Sequence, residues 1–236
     1  AFDNLQNFGI SKLIIIGGDG SFNALNQFYV DFKVPFAGIP ATIDNDISGT
    51  DYCLGVDTAL NMIRSSVDSI RDTASSFSRA FVIETMGRDC GYLAMVSALA
   101  NGAEVCLVPE IKYDLDAVGE RLRQQRAAGK RYVLGIVAEG TGMAEPLTRW
   151  MGDFLDMDAR LTVLGHVQRG GSPTVYDRIM AYKFAVAAVD HLLAGDTNRV
   201  VTFRNGRFGS SSIHQISDTK HECEASLLEL VRELSC

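Results

Sequence analysis

What the chain lacks narrows its function first. It has no Lys/Arg-rich run, and 22 basic against 29 acidic residues leave a formal charge of −7, a balance that argues against a nucleic-acid surface. It has no apolar run of membrane-spanning length and no charged-then-apolar leader, so a soluble, cytoplasmic protein is expected. Its five cysteines, Cys53, Cys90, Cys106, Cys223 and Cys236, form no CxxC pair and show no metal-ligand spacing. Reduced cytosolic thiols are expected. There is no internal repeat, low-complexity tract or obvious linker, and no initiating methionine. The chain opens AFDNLQNFGIS, with Phe2, Leu5 and Phe8 at helical spacing and Gly9 in the place of a C-cap; a preceding segment is expected.

What is present is ample for a folded core: 236 residues, 47% of them hydrophobic, enough for one large domain or two small ones. Apolar runs suited to buried parallel strands lie at 12 to 18, 34 to 40, 80 to 84, 104 to 109, 131 to 139, 160 to 165 and 199 to 203. Helical patterns separate them. The clearest has Val56, Leu60, Ile63, Val67 and Ile70 on one face; another has Ser172 as N-cap and Pro173 at N1 and closes near Gly195; the last carries Leu227, Leu230, Val231 and Leu234. The alternation predicts an α/β fold with mainly parallel sheets covered on both faces. Ligands in that architecture sit beyond the carboxyl ends of the strands.

Five loops at strand ends carry chemistry. GGDGS (Gly17 to Ser21) joins an apolar strand to a helix; its glycines admit close approach of a phosphate and Asp19 could hold Mg²⁺, or the loop is a tight turn with Asp19 as cap. GIPATIDNDISGTD (38 to 51) brings three aspartates together. If the segment is extended, Asp44 and Asp46 fall on one side, where one can take a proton from an alcohol while the other orients it; a solvated Asx turn is the alternative. ETMGRDCGYL (84 to 93) gathers Met86, Gly87 and Arg88, or simply starts a helix. Glu139 stands at the tip of a very apolar strand, placed to meet sugar hydroxyls or to cap the next element. In LGHVQRGGSP (164 to 173), His166 and Arg169 precede two glycines and a helix start, an arrangement suited to an anion, with Arg160 upstream. His191, His214 and His221 have no such company. Jointly, the loops describe phosphoryl transfer to an alcohol on a phosphorylated substrate.

In order and spacing, GGDGS, TIDND, ETMGR, AEG and GHVQRGGSP resemble the 6-phosphofructokinase family over essentially the whole chain. GGDGS alone also resembles NAD kinases and lipid kinases, which leave GHVQRGGSP without an account. The resemblance implies two Rossmann-like lobes, residues 1–55 plus 168–218 binding nucleotide and 56–167 plus 219–236 binding substrate. It implies ATP-dependent phosphorylation of the 1-hydroxyl of fructose 6-phosphate, with Mg²⁺. Asp44 would then be the general base with Asp46 beside it; Asp19 would serve Mg²⁺ and, with Gly18, Gly20 and Ser21, the nucleotide; Thr42 and Arg88 would stabilise the transferring group. Met86, Gly87 and Glu139 would hold the sugar. Arg79, Arg160, His166 and Arg169 would grip its 6-phosphate, Arg79 and Arg160 from a neighbouring subunit of a homotetramer.

Pyrophosphate-using relatives carry Asp and Lys where this chain has Gly20 and Ala41, so ATP is the expected donor. Arg71, Glu104 and Lys130 match an effector site, although Ala128 stands where a second lysine is expected. The family's glycine-rich first strand and loop have no counterpart here, and a chain starting at Ala1 is expected not to turn over. A non-catalytic subunit that binds phosphosugar or assembles with active partners is the competing reading.

Overall fold

The computed structural model describes residues 1–218 and 223–235, excepting the side chains at 75, 217 and 218; His221 and Cys236 lie outside the described residues. The chain divides into two compact units, Ala1–Asp57 with Pro173–Glu222, and Thr58–Ser172 with Cys223–Cys236. The crossings lie a few residues beyond those expected. Thr174 Oγ1 donates to Asp57 Oδ2 at 2.5 Å, which keeps Asp57 in the first unit. Gln168 accepts from Met86 N at 3.2 Å, which keeps residues 168 to 172 in the second.

The first unit holds a sheet in the order β1-β2-β7-β8, formed by Leu13–Gly17, Phe36–Pro40, Arg199–Arg204 and Arg207–Ser212. β1, β2 and β7 are parallel. β8, which the apolar-run reading passed over, returns antiparallel from β7. Its sequence RFGSSS is too polar to read as a buried strand, but Asn205 and Gly206 both have positive φ (51° and 74°), the signature of an Asn-Gly hairpin turn. β2 is buried along its whole length. A Cβ at its Gly38 would meet the Phe22 ring at 2.8 Å, so glycine there lets the fully buried Phe22 of α2 (Asp19–Phe32) seat on the sheet.

Helix α1 (Phe2–Asn7) ends as its sequence predicts. Gly9 N donates to Gln6 O and Ile10 N to Leu5 O, with Gly9 at φ 66°, a Schellman closure. Helix α7 (Val175–Leu193), which precedes β7 as the short α8 (Ile213–Asp218) follows β8, does not start as expected. Its N-cap is Thr174, whose hydroxyl accepts Asp177 N at 3.2 Å; Pro173 precedes the cap instead of opening the helix.

The second unit holds a wholly parallel sheet, order β4-β5-β3-β6, formed by Val105–Leu107, Val133–Ala138, Ala80–Thr85 and Ala159–Val163. Helices α3 (Val56–Phe77), α4 (Tyr92–Asn101), α5 (Leu115–Ala127), α6 (Ala144–Leu155) and α9 (Ala225–Ser235) accompany it. Val56, Ile63 and Val67 of α3 are fully buried, as their spacing requires. On α6, Leu147, Met151 and Leu155 meet Val82, Leu107 and Val137 in one apolar cluster. On α9 the seam is narrower than its sequence predicts: Val231 is buried while Leu230 is 60% exposed, because i and i+1 cannot share one face of a helix. Among the described residues, no helix is long and apolar enough to cross a membrane.

Candidate active site

In the first unit, the loops after β1 and β2 emerge side by side. Gly17 pairs with Pro40, and Ala41 N donates to Gly17 O at 2.9 Å. The parallel register therefore brings GGDGS to TIDND. A Cβ on Gly18 would lie 3.4 Å from Thr42 Cβ. Asp19 is the first residue of α2, with Gly18 as N-cap and no side-chain cap, and its exposed carboxylate accepts from Asn23 Nδ2 at 3.1 Å. The cap role left open for Asp19 is therefore not the one it plays. Gly20 follows inside the helix, and Ser21 N returns to Gly18 O at 3.0 Å.

Asp44 is 2% exposed, and its N–H donates to Thr42 Oγ1 at 3.3 Å. The segment is not extended. Asn45 sits at φ 52°, pinned because its Oδ1 accepts Cys53 N at 2.9 Å and its Nδ2 donates to Asp51 O at 3.2 Å. The alternation that puts i and i+2 on one side thus fails between Asp44 and Asp46. One Asp46 oxygen is buried with no hydrogen-bond partner, a group that burial penalises unless a ligand or cation meets it. Asp51 serves the β7–β8 turn, where its Oδ2 accepts Asn205 N at 2.7 Å. Asp177, passed over in the sequence, anchors the same region. Its Oδ1 accepts Tyr52 Oη at 2.5 Å and Gly55 N at 2.7 Å. Its place in the first turn of a capped helix was the available signal.

In the second unit, the turns after β3 and β5 are joined through one carboxylate: Glu139 Oε1 accepts Arg88 N at 2.8 Å and Gly87 N at 3.1 Å. Both donors belong to a tight turn closed by Cys90 N to Gly87 O at 2.9 Å, with φ 141° at Gly87 and 52° at Arg88. Gly140 is required beside it, since a Cβ there would fall inside the Arg88 carbonyl. Gln168, 1% exposed, accepts Met86 N and donates to Gly165 O at 2.9 Å, tying the β3 turn to the 3₁₀ turn Gly165–Arg169. Gln168 is the structural pin of that turn, a role its sequence position does not announce. His166 and Arg169 are exposed, and their i, i+3 spacing on a 3₁₀ turn eclipses them. Glu84, next to this group, has its carboxyl pushed up by burial first, then by Glu139 and Glu145.

Arg79 and Arg160 do not join these residues. They flank the amino ends of β3 and β6, where Asp158 receives Arg79 Nε at 2.8 Å and Arg160 Nε at 3.0 Å. The Glu139 and Arg88 turns lie at the carboxyl ends, about 20 Å away for a six-residue strand. Elsewhere in this unit, buried Glu104 is satisfied by Lys130 Nζ and by Leu134 N at 2.6 Å, while Arg71 donates to Asn101 O.

Each unit thus presents phosphate- or sugar-suited groups at the carboxyl ends of parallel strands, which defines the class: an α/β phosphoryl-transfer scaffold. The chain belongs to the phosphofructokinase family, whose pattern it matches over residues 1–192. It is 50% identical over 234 residues to the ATP-dependent 6-phosphofructokinase of Sulfurovum sp. (strain NBC37-1), covering 99% of this chain and 72% of that one. Identity to the protein of that name from Staphylococcus aureus (strain MRSA252) is 45% over 237 residues, with 100% and 74% covered. The structure of phosphofructokinase from Saccharomyces cerevisiae superposes with a TM-score of 0.82 at 30% identity, over 91% of this chain and 33% of that one.

Proposed function

We propose that this protein transfers the γ-phosphoryl group of ATP to the 1-hydroxyl of fructose 6-phosphate, as an ATP-dependent 6-phosphofructokinase in cytoplasmic glycolysis. The observation that carries the reading is the pairing of Gly17 with Pro40, which sets a phosphate-suited helix start beside the loop holding Asp44. Asp44 takes the proton of the 1-hydroxyl, the oxygen attacks the γ-phosphorus, and ADP leaves. Thr42 and the Arg88 guanidinium stabilise charge on the transferring oxygens. Met86, Gly87 and Glu139 hold the sugar.

The donor set suits Mg²⁺: an exposed carboxylate at Asp19 and a buried, unsatisfied oxygen on Asp46 are hard-oxygen ligands of the kind it takes. Bound there with ATP, the ion would neutralise phosphate charge. Open space around Gly20 and the small Ala41 favour ATP over pyrophosphate.

His166 and Arg169 take the 6-phosphate. Arg79 and Arg160 serve a neighbouring copy, because about 20 Å of strand keeps them from the carboxyl-end residues of their own chain. A homotetramer with shared sites follows. By resemblance, the nucleotide belongs with the first unit and the sugar with the second, and Arg71, Glu104 and Lys130 belong to an effector site. The test is a coupled assay on the native polypeptide with fructose 6-phosphate and either ATP or pyrophosphate. Turnover with ATP alone is expected; no turnover, or a preference for pyrophosphate, overturns the reading.

A further inference from the structure

In the second unit, beside the Gly87–Cys90 turn, three ligand-bearing side chains converge. Cys90 Sγ, Cys223 Sγ and a Glu110 carboxylate oxygen all lie within 4.8 Å of one another. Cys223 Sγ stands 3.5 Å from Glu110 Oε1. Cys90 closes the turn after β3, Glu110 follows β4, and Cys223 lies just before α9. Residues from three separate stretches meet here, so the cluster was invisible to any spacing rule on cysteines alone.

The geometry points to a site for a thiophilic divalent cation of the zinc type, held by Cys90, Cys223 and Glu110. Tetrahedral zinc has Zn–S near 2.3 Å and Zn–O near 2.0 Å, which puts ligand sulfurs about 3.8 Å apart and sulfur about 3.5 Å from oxygen. The Cys223 Sγ–Glu110 Oε1 separation of 3.5 Å is of this size, and the other two lie within 4.8 Å. Two soft sulfurs with one carboxylate select zinc, cadmium or cobalt over the hard ions magnesium and calcium. Glu110 is already oriented, since its Oε1 accepts Gly91 N at 2.7 Å. A Cβ on Gly91 would lie 2.5 Å from Glu110 Oε2 and from Val108 Cβ, so glycine at this position leaves the carboxylate its room. Three protein ligands leave the fourth position to water, which makes the site exchangeable instead of a closed structural one.

The consequence is local. Cys90 N is bonded to Gly87 O at 2.9 Å, so an occupied site would clamp the Gly87–Cys90 turn to the chain at residue 223.

The test uses the native chain, reduced with a phosphine, and titrates it with Co²⁺ and then with Zn²⁺ in competition. The expected result is one equivalent of Co²⁺ with sulfur-to-cobalt charge-transfer absorption, displaced by Zn²⁺. Cys223→Ser should abolish that absorption or weaken affinity at least tenfold, and Glu110→Gln should weaken it, while Cys53→Ser and Cys236→Ser leave it intact. Zn²⁺ should raise the melting temperature of the native chain and not of Cys223→Ser. Absence of charge-transfer absorption in the native chain overturns the site, as does unchanged Co²⁺ affinity in Cys223→Ser or loss of the absorption in Cys236→Ser.

Discussion

Glu139 receives the backbone N–H of Arg88 at 2.8 Å and of Gly87 at 3.1 Å on a single oxygen. The acid at the tip of β5 therefore builds the turn that presents Arg88, and its other oxygen is the one we propose meets a sugar hydroxyl. Glu139→Ala leaves two amides of a tight turn without their acceptor. A loss of about 1–3 kcal/mol in urea denaturation is expected, with a raised KM for fructose 6-phosphate. Glu139→Gln keeps an acceptor oxygen and should lose less than about 1 kcal/mol. Equal losses in the two variants would show that the turn does not depend on that acceptor.

Glu84 gives this region a pH signature. Burial, then Glu139 and Glu145, raise its carboxyl above the ordinary 4.5, so the folded protein holds this proton more tightly than the unfolded chain does. Its contribution to stability is full below the unfolded value and is lost as pH rises through the raised folded one. Glu84→Gln removes that loss. The variant should melt higher than wild type near neutral pH, and the gap should close below about pH 4. Thermal melts at both pH values check this, and a gap that does not change with pH refutes it.

Burial on both faces explains why most strands could be read from the sequence. β2 and β5 have no exposed position, so each is a continuous apolar run. β8 escaped because RFGSSS has no such run, although Asn205-Gly206 marked the hairpin. At the site, the residue types were readable but their joining was not. Nothing local says that Glu139 bonds to residues about fifty positions earlier, that Asn45 adopts φ 52° and breaks the expected alternation of Asp44 and Asp46, or that Asp158 gathers Arg79 and Arg160. These are products of strand register and of long-range hydrogen bonds.

Gly20 separates a structural glycine from a functional one. It lies inside α2 with nothing within 4 Å of a would-be Cβ, so Gly20→Ala should stabilise the fold by up to about 1 kcal/mol. If the open space is kept for nucleotide, the same variant raises the KM for ATP and leaves that for fructose 6-phosphate unchanged. Gly140→Ala is the converse, since its Cβ enters the Arg88 carbonyl; it should lower stability. An unchanged KM for ATP in Gly20→Ala would remove the nucleotide from this loop.

Sharing of sites between copies can be tested by complementation. Asp44→Ser removes the proposed base and should cost about 10²- to 10⁴-fold in kcat with little change in sugar affinity. Arg160→Ser should raise the KM for fructose 6-phosphate and spare kcat. Stability should hardly change, because the exposed Arg160–Asp158 pair contributes less than about 1 kcal/mol. The two variants, dissociated, mixed and reassembled, form some interfaces where one copy supplies Asp44 and the other Arg160. At sugar concentrations where each variant alone is nearly silent, the mixture should regain activity well above the sum of its parts. If Arg160 serves its own chain, no interface is repaired and the mixture gives only that sum.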